Sequence, residues 1–284
     1  MFKRIGLFLL TNLLVVVTVG VIMNIVLPML GIQVRGTTGI AIFCGIFGMS
    51  GAMISLFISR WVAKRTMGIH ILPEGEPLQR MVATLAREAG IAVPEVGIYE
   101  SPEPNAFATG PSKNSSLVAF STGLLDQMNE REVEAVAAHE VSHVANGDMV
   151  TMALLTGVAN AFVMFFARMV AMAIDTFLSD DEGGGLGFFG YIIVVFVLEN
   201  VFMMLAYIPI SWFSRQREYR ADAGAARLTS PRSMAQALDA LRNVTAADRV
   251  SGAMALQRIS SPKRVSLWAT HPTLEDRIER LNAM

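Results

Sequence analysis

Four long apolar runs interrupt this 284-residue chain and set its plan. They cover about Ile5 to Leu30, Gly39 to Ile58, Val150 to Leu178 and Phe188 to Trp212. Each reaches the ~20 residues that a helix needs to cross the hydrocarbon of a bilayer, so four transmembrane helices are expected. The first run is too long for the apolar core of a signal peptide and no clear small-x-small cleavage site follows it, so it reads as an uncleaved anchor. The first two runs are nearly free of charge, whereas the third holds Arg168 and Asp175 and the fourth Glu199. Ionisable groups at membrane depth are costly and usually paired. A hairpin turning near Gly183 would set Arg168 and Glu199 at similar depth, which predicts a contact between them. The alternatives are that each side chain snorkels or lines a wet cavity, or that these two runs lie partly on the membrane surface.

The polar remainder, 60–149 and 213–284, alternates differently. Glu76 to Ala89 has the apolar stripe of an amphipathic helix, with Pro77 suited to its first turn. Val96 to Tyr99 and Ser116 to Ser121 read as short strands, the first ending at the turn Ser101-Pro102-Glu103-Pro104. Asn129 with Glu132 three residues on is a capping-box start, and Gly147 suits a C-terminus, so a helix is expected from about 130 to about 146. Each polar part alone is small, and a shared core is more plausible than two. The plan is therefore two N-terminal membrane helices (1–59), a first part of an α+β domain (60–149), a membrane hairpin (150–212) and a second part of the same domain (213–284). That domain should be mainly helical with a small sheet.

Composition agrees with a membrane protein: 53% of residues are hydrophobic and only 17% charged. A net charge of −1 supplies no basic field, so nucleic acid is not an expected partner. Cys44 is the one cysteine, which excludes an internal disulfide and a cysteine metal site. Lys3 and Arg4, then Arg60, Lys64 and Arg65, then Arg215, Arg217 and Arg220 flank the runs on one side, which the positive-inside rule assigns to the cytosol. Both termini and the polar domain then lie there.

The expected helix 130–146 carries His139-Glu140-Val141-Ser142-His143, the pattern H-E-x-x-H. Residues four apart share a helix face, so both imidazoles can reach one metal ion while Glu140 can touch a water beside it. This is the layout of a zinc peptidase, with two ligands and a general base. A catalytic zinc needs a third protein ligand and an open position. Glu218 is the candidate, in the segment Ser214 to Asp222 just beyond the fourth run. Asp222 lies on the same face, where its carboxylate could accept the free ring N–H of a bound histidine, expected to be His139. The other reading of Glu218 and Asp222 is a solvated charged face balanced by Arg215 and Arg217.

With these residues the chain resembles the HtpX-type membrane zinc peptidases of bacteria, relatives of the CAAX prenyl proteases. The resemblance runs through Leu7-Phe8-Leu9-Leu10-Thr11-Asn12-Leu13, Asn105-Ala106-Phe107-Ala108-Thr109-Gly110, Ser121 to Leu125, His139 to Asp148, Glu218 to Asp222, and His271-Pro272 with Arg277. It implies one Zn2+ per chain on His139, His143 and Glu218, with Glu140 as the base, in a zincin-like domain. It also implies that Asn105, Ala106 and Phe107 form the sheet edge that binds substrate backbone; the alternative is an ordinary buried strand end.

His271-Pro272 is expected to open a helix, with Pro272 at its first position. His271 could donate to the oxyanion of a tetrahedral intermediate. Arg277 could hold the Glu218 and Asp222 carboxylates, and Asn146 could orient a ligand; the alternatives are structural caps and ion pairs. Val150 follows His143 by seven residues, ~10 Å of helix, and Glu218 follows Trp212 by six, so the metal should sit near the headgroups. The expectation is a multi-pass inner-membrane endopeptidase that cleaves misfolded or membrane proteins at the cytosolic face in quality control, with self-association left open. The competing readings are a non-catalytic membrane scaffold with a structural metal and a dedicated prenyl-protein processing peptidase.

Overall fold

The structure, a computed structural model, describes residues 13–15, 17–31, 36–179, 184–251 and 267–284. Two compact units are built from alternating parts of the chain: Met1–Ser55 with Met152–Ile210, and Leu56–Thr151 with Ser211–Met284.

The first unit holds the apolar helices. Three are long and apolar enough to cross a membrane: Gly36–Met67, Asp148–Leu178 and Gly187–Leu228. The first run is helical over Leu13–Met29, with a π turn at Ile22–Val26. Its expected start at Ile5, the Arg35 loop and the Gly183 turn lie outside the described residues. Arg168 Nη1 donates to Glu199 Oε1 at 2.7 Å and to the Met164 carbonyl at 2.9 Å. The expected pairing is therefore present, with the two side chains 24% and 30% exposed. The guanidinium also stands over the Phe43 ring, 5.9 Å from its centroid.

The second unit is a four-stranded sheet packed with helices. The sheet order is β1-β2-β4-β3, from β1 (His70–Ile71), β2 (Glu95–Tyr99), β3 (Ala106–Ser112) and β4 (Ser115–Ser121). β2 and β4 are parallel, with Val96 opposite Val118, and β3 folds back antiparallel on β4. β4 is buried nearly throughout, as the alternation-free apolar run Leu117-Val118-Ala119-Phe120 requires. Leu117, Phe120 and Leu124 are among the largest fully buried side chains, each worth about 1.5–3 kcal/mol of burial. The outer strand β3 lies against the helix Glu130–Asn146.

That helix starts and stops for identifiable reasons. The Asn129 side chain accepts from the Arg131 and Glu132 N–H groups, and Glu132 returns a bond to the Asn129 N–H. Gly147 closes it at φ 70°, a left-handed conformation that glycine adopts without a Cβ penalty. The fourth run and the 214–222 segment beyond it form one helix, Gly187–Leu228, which carries Pro209 inside it and goes on past Trp212 because polar helix formers replace the apolar ones. One expected boundary moves. Pro272 precedes the last helix rather than opening it: Thr273 is the N-cap, its hydroxyl accepting from the Asp276 N–H, and the helix runs Leu274–Asn282.

Candidate metal centre

Three helices of the second unit bring the titratable groups together: Glu130–Asn146, the extension of Gly187–Leu228 beyond Ile210, and Leu274–Asn282. The first two approach closely at Gly224, where an added Cβ would stand 2.5 Å from Ser142 Oγ and 2.7 Å from Ser142 Cβ. A side chain there would push apart the helices that carry the histidines and Glu218.

His139 and His143, four apart, turn their Nε2 atoms to each other at 3.1 Å. Glu218 lies across from both, with Oε2 3.6 Å from His139 Nε2 and Oε1 3.4 Å from His143 Nε2. All three residues are buried, and one ligand atom from each falls within 4.8 Å of the others. The outer nitrogens are held by carboxylates. Asp222 Oδ1 is 3.0 Å from His139 Nδ1, and Asp148 Oδ2 is 2.7 Å from His143 Nδ1. With each Nδ1–H donating outward, both Nε2 atoms are aimed at one point, where they would offer lone pairs to a metal ion.

Arg277 completes the shell. Its Nε and Nη2 donate to Asp222 Oδ2 and Oδ1 at 2.8 and 2.6 Å, and Nη1 is 3.5 Å from Glu218 Oε2. Burial works against both charges of this pair, yet the paired hydrogen bonds hold the Asp222 carboxyl below its ordinary range and the Arg277 guanidinium above its own. Burial likewise opposes the charge on His143, but its bonds to Asp148 and Glu218 raise the imidazole to about 9, so near neutrality its Nε2 carries a proton that a bound metal ion would displace. Glu218 is depressed in the same way: burial is outweighed by bonds to His139, His143 and His271.

These residues fit a divalent cation. Four buried carboxylates (Glu140, Asp148, Glu218, Asp222) gather with Arg277 as the one buried guanidinium, while Arg217 and Arg220 approach Glu218 and Asp148 only at 3.8 and 4.0 Å, a surplus of negative charge that a cation would balance. A tetrahedral ion with bonds of ~2.0–2.2 Å to nitrogen and oxygen needs donor atoms roughly 3.3–3.5 Å apart. The spacings of 3.1, 3.4 and 3.6 Å bracket that. Two imidazoles and a carboxylate are also the donor set that zinc accepts in catalytic sites.

The expected site residues divide as follows. Glu140 is buried on the ligand helix beside His139. His271 stands at the rim, 62% exposed, its Nδ1 3.4 Å from Glu218 Oε2. Asn146 is exposed in the last turn of the ligand helix, and among the described residues no hydrogen bond ties it to the cluster. Asp148 takes the place expected for it, because left-handed Gly147 ends the helix and redirects the chain. Only the closeness of Asp148 to the second histidine could have signalled this. Asn105 immediately precedes β3, with its carbonyl accepting from the Ser121 N–H at 2.9 Å. Antiparallel alternation then turns the Phe107 backbone toward β4 and the Ala106 and Ala108 backbones to the free edge.

The model of peptidase family M48 matches residues 74–284, a span that includes the whole ligand cluster. The chain belongs to peptidase family M48. It is a membrane-bound metalloprotease, and its relatives run its full length. Protease HtpX of Aeromonas hydrophila is 51% identical over 98% of this chain and 99% of its own; Protease HtpX of Shewanella pealeana is 50% identical over 99% of each. Among solved structures, S. mikatae Ste24p shares the fold at TM-score 0.64 and 18% identity, covering 99% of this chain and 67% of its own.

Proposed function

We propose that this M48 peptidase is a zinc endopeptidase of the cytoplasmic membrane that hydrolyses misfolded or membrane-inserted polypeptides at the cytosolic face, in membrane protein quality control. The observation that carries the reading is the arrangement of ligand atoms: two imidazole Nε2 atoms and a Glu218 carboxylate meet at 3.1–3.6 Å, each imidazole fixed from behind by a carboxylate.

His139, His143 and Glu218 would hold one Zn2+, which supplies Lewis-acid polarisation of the scissile carbonyl and lowers the pKa of a water. Glu140 accepts the proton of the attacking water and returns it to the leaving amine. Asp222 and Asp148 keep the two imidazoles in the tautomer whose Nε2 is unprotonated, and Arg277 locks Asp222 in place. His271 donates to the developing oxyanion from the rim, a contribution often worth about 3 kcal/mol. The outward N–H and C=O groups of Ala106 and Ala108 pair with an extended substrate; backbone pairing reads no side chain and suits many sequences. The flanking lysines and arginines favour a cytosolic site. Asp148 opens a span helix and Glu218 follows an apolar run by a few residues, so the chain itself keeps substrate selection near the bilayer.

The test is product analysis. The purified chain should cut an unfolded protein at internal bonds, with one zinc per chain; His139→Ala should lose both the metal and the products. Removal of terminal residues alone, or full activity without metal, would refute the reading.

A further inference from the structure

Leu267 to Pro272 belong to no helix or strand, and His271 among them is largely exposed. Neither a backbone ladder nor packing around the ring therefore sets where this imidazole stands. Bonds to the chain on either side do so instead. Before it, Arg215 Nη1 donates to the Ala269 carbonyl at 2.6 Å and reaches the Leu267 carbonyl at 3.4 Å, and Ser211 Oγ donates to the Trp268 carbonyl at 3.3 Å. After it, Pro272 is buried, Thr273 caps the last helix, and Arg277 of that helix is bonded twice to Asp222. Arg215, Glu218 and Asp222 stand three and four residues apart on the helix Gly187–Leu228, so one face presents all three. The middle one is a candidate metal ligand, and its Oε2 is 3.4 Å from His271 Nδ1. Its neighbours on that face, one turn to each side, hold the two ends of the His271 segment.

We propose that Arg215 is a positioning residue for peptide hydrolysis: by holding the Ala269 and Leu267 carbonyls it keeps the His271 imidazole beside Glu218, where it meets the developing oxyanion. The inference rests on the reading of His271 as the oxyanion donor and assigns the group that sets its place. A guanidinium bond to a carbonyl is charge-assisted, and the short one here fixes the chain two residues before His271. The planar fork that lets one guanidinium serve two carbonyls is not shared by lysine. A donor shifted by ~1 Å forfeits much of the roughly 10²–10³-fold that such a group adds to turnover. Arg215 acts through His271, so its loss lowers kcat and leaves metal binding and ground-state substrate binding as they are.

The zinc-loaded full chain is compared with Arg215→Met, Arg215→Lys, His271→Ala and the double variant Arg215→Met with His271→Ala, on fluorescein-labelled casein. Arg215→Met should lower kcat about 10–100-fold with KM and zinc affinity unchanged, and Arg215→Lys, which keeps a charged donor, should recover part of the loss. In the chain that already lacks His271, Arg215→Met should change nothing further. An equal loss with and without His271, a loss that appears in KM or zinc affinity, or native turnover by Arg215→Met overturns the proposal while the role of His271 stands. Native turnover by His271→Ala overturns both. Where Arg215→Met does not fold, Arg215→Lys runs through the same cycle with a smaller loss. A nitroxide on Thr270→Cys reads the hold without turnover, in a Cys44→Ser chain that has no other thiol. Its spectrum should be broad with Arg215 and narrow with Arg215→Met. Identical spectra overturn the proposal whether or not the chain cleaves casein, so it and the peptidase reading can fail separately.

Discussion

Asp222 joins two functions that one experiment can separate. Its carboxylate accepts two bonds from Arg277, at 2.8 and 2.6 Å, and lies 3.0 Å from His139 Nδ1. All three groups are buried. Asp222→Ala would leave the guanidinium without its main partner, and stranding one member of a buried pair costs about 3–5 kcal/mol. The remaining 3.5 Å approach of Arg277 Nη1 to Glu218 sets the cost near the lower end, about 3 kcal/mol. That corresponds to a melting shift on the order of 10 °C for a unit of this size. It should be measured in chelator, so that metal linkage does not contribute. Adding Arg277→Met removes the stranded charge and should recover most of the loss. Metal affinity should behave differently. His139 loses the partner that sets its tautomer in both variants, so competition with a chromogenic chelator should show zinc binding about 10–100-fold weaker in the single and the double alike. Two results would refute the reasoning: an unchanged melt for Asp222→Ala, or native zinc affinity in the double variant.

Three further outcomes follow from the packing and charges. Gly224→Ala should cost about 1–3 kcal/mol of overpacking against Ser142 and weaken metal binding, and Ser142→Gly in the same chain should restore the affinity seen by chelator competition. Arg168→Met and Glu199→Gln should each destabilise more than their combination; a double-mutant cycle on detergent melts should give a coupling of about 0.5–3 kcal/mol, and strict additivity would show that the pair is idle. Glu95 is partly buried, which raises its carboxyl, but bonds from Lys64 and Arg60 hold it below 4.5. A carboxyl lower in the folded than in the unfolded state stabilises above the unfolded value and loses this as pH falls through the folded one. Native chain and Glu95→Gln should therefore differ near neutrality, by less than about 1 kcal/mol because Glu95 is exposed enough for screening, and converge in acid.

Some of this architecture could be read from residue order because local physics decided it. The capping box at Asn129 and the glycine at 147 bounded the ligand helix, and i,i+4 spacing set His139 by His143 and Asp222 by Glu218. The Arg168–Glu199 contact followed from nearly equal distances along the chain on either side of an expected turn. What escaped depended on chain direction after a break or on partners distant in sequence. Asp148 read as the opening of an apolar run, and only the left-handed turn at Gly147 aims it at His143. Asn146 has the better helical spacing and nevertheless leaves the helix toward solvent. The two-residue strand β1 has no periodicity to detect and exists through pairing with β2. The tie between Arg215 and the Ala269 carbonyl spans 54 residues, beyond any local pattern.

The central claim is that a buried carboxylate between two metal-binding histidines performs the proton transfers of peptide hydrolysis. The most direct measurement is hydrolysis of an unfolded test protein by the purified chain in detergent, beside Glu140→Ala, with chelation and zinc add-back. The account predicts cleavage that stops on chelation, returns with zinc, and falls by a factor of about 10²–10⁴ or more in a variant that still binds the metal. Undiminished cleavage by Glu140→Ala, with zinc in place, would contradict it.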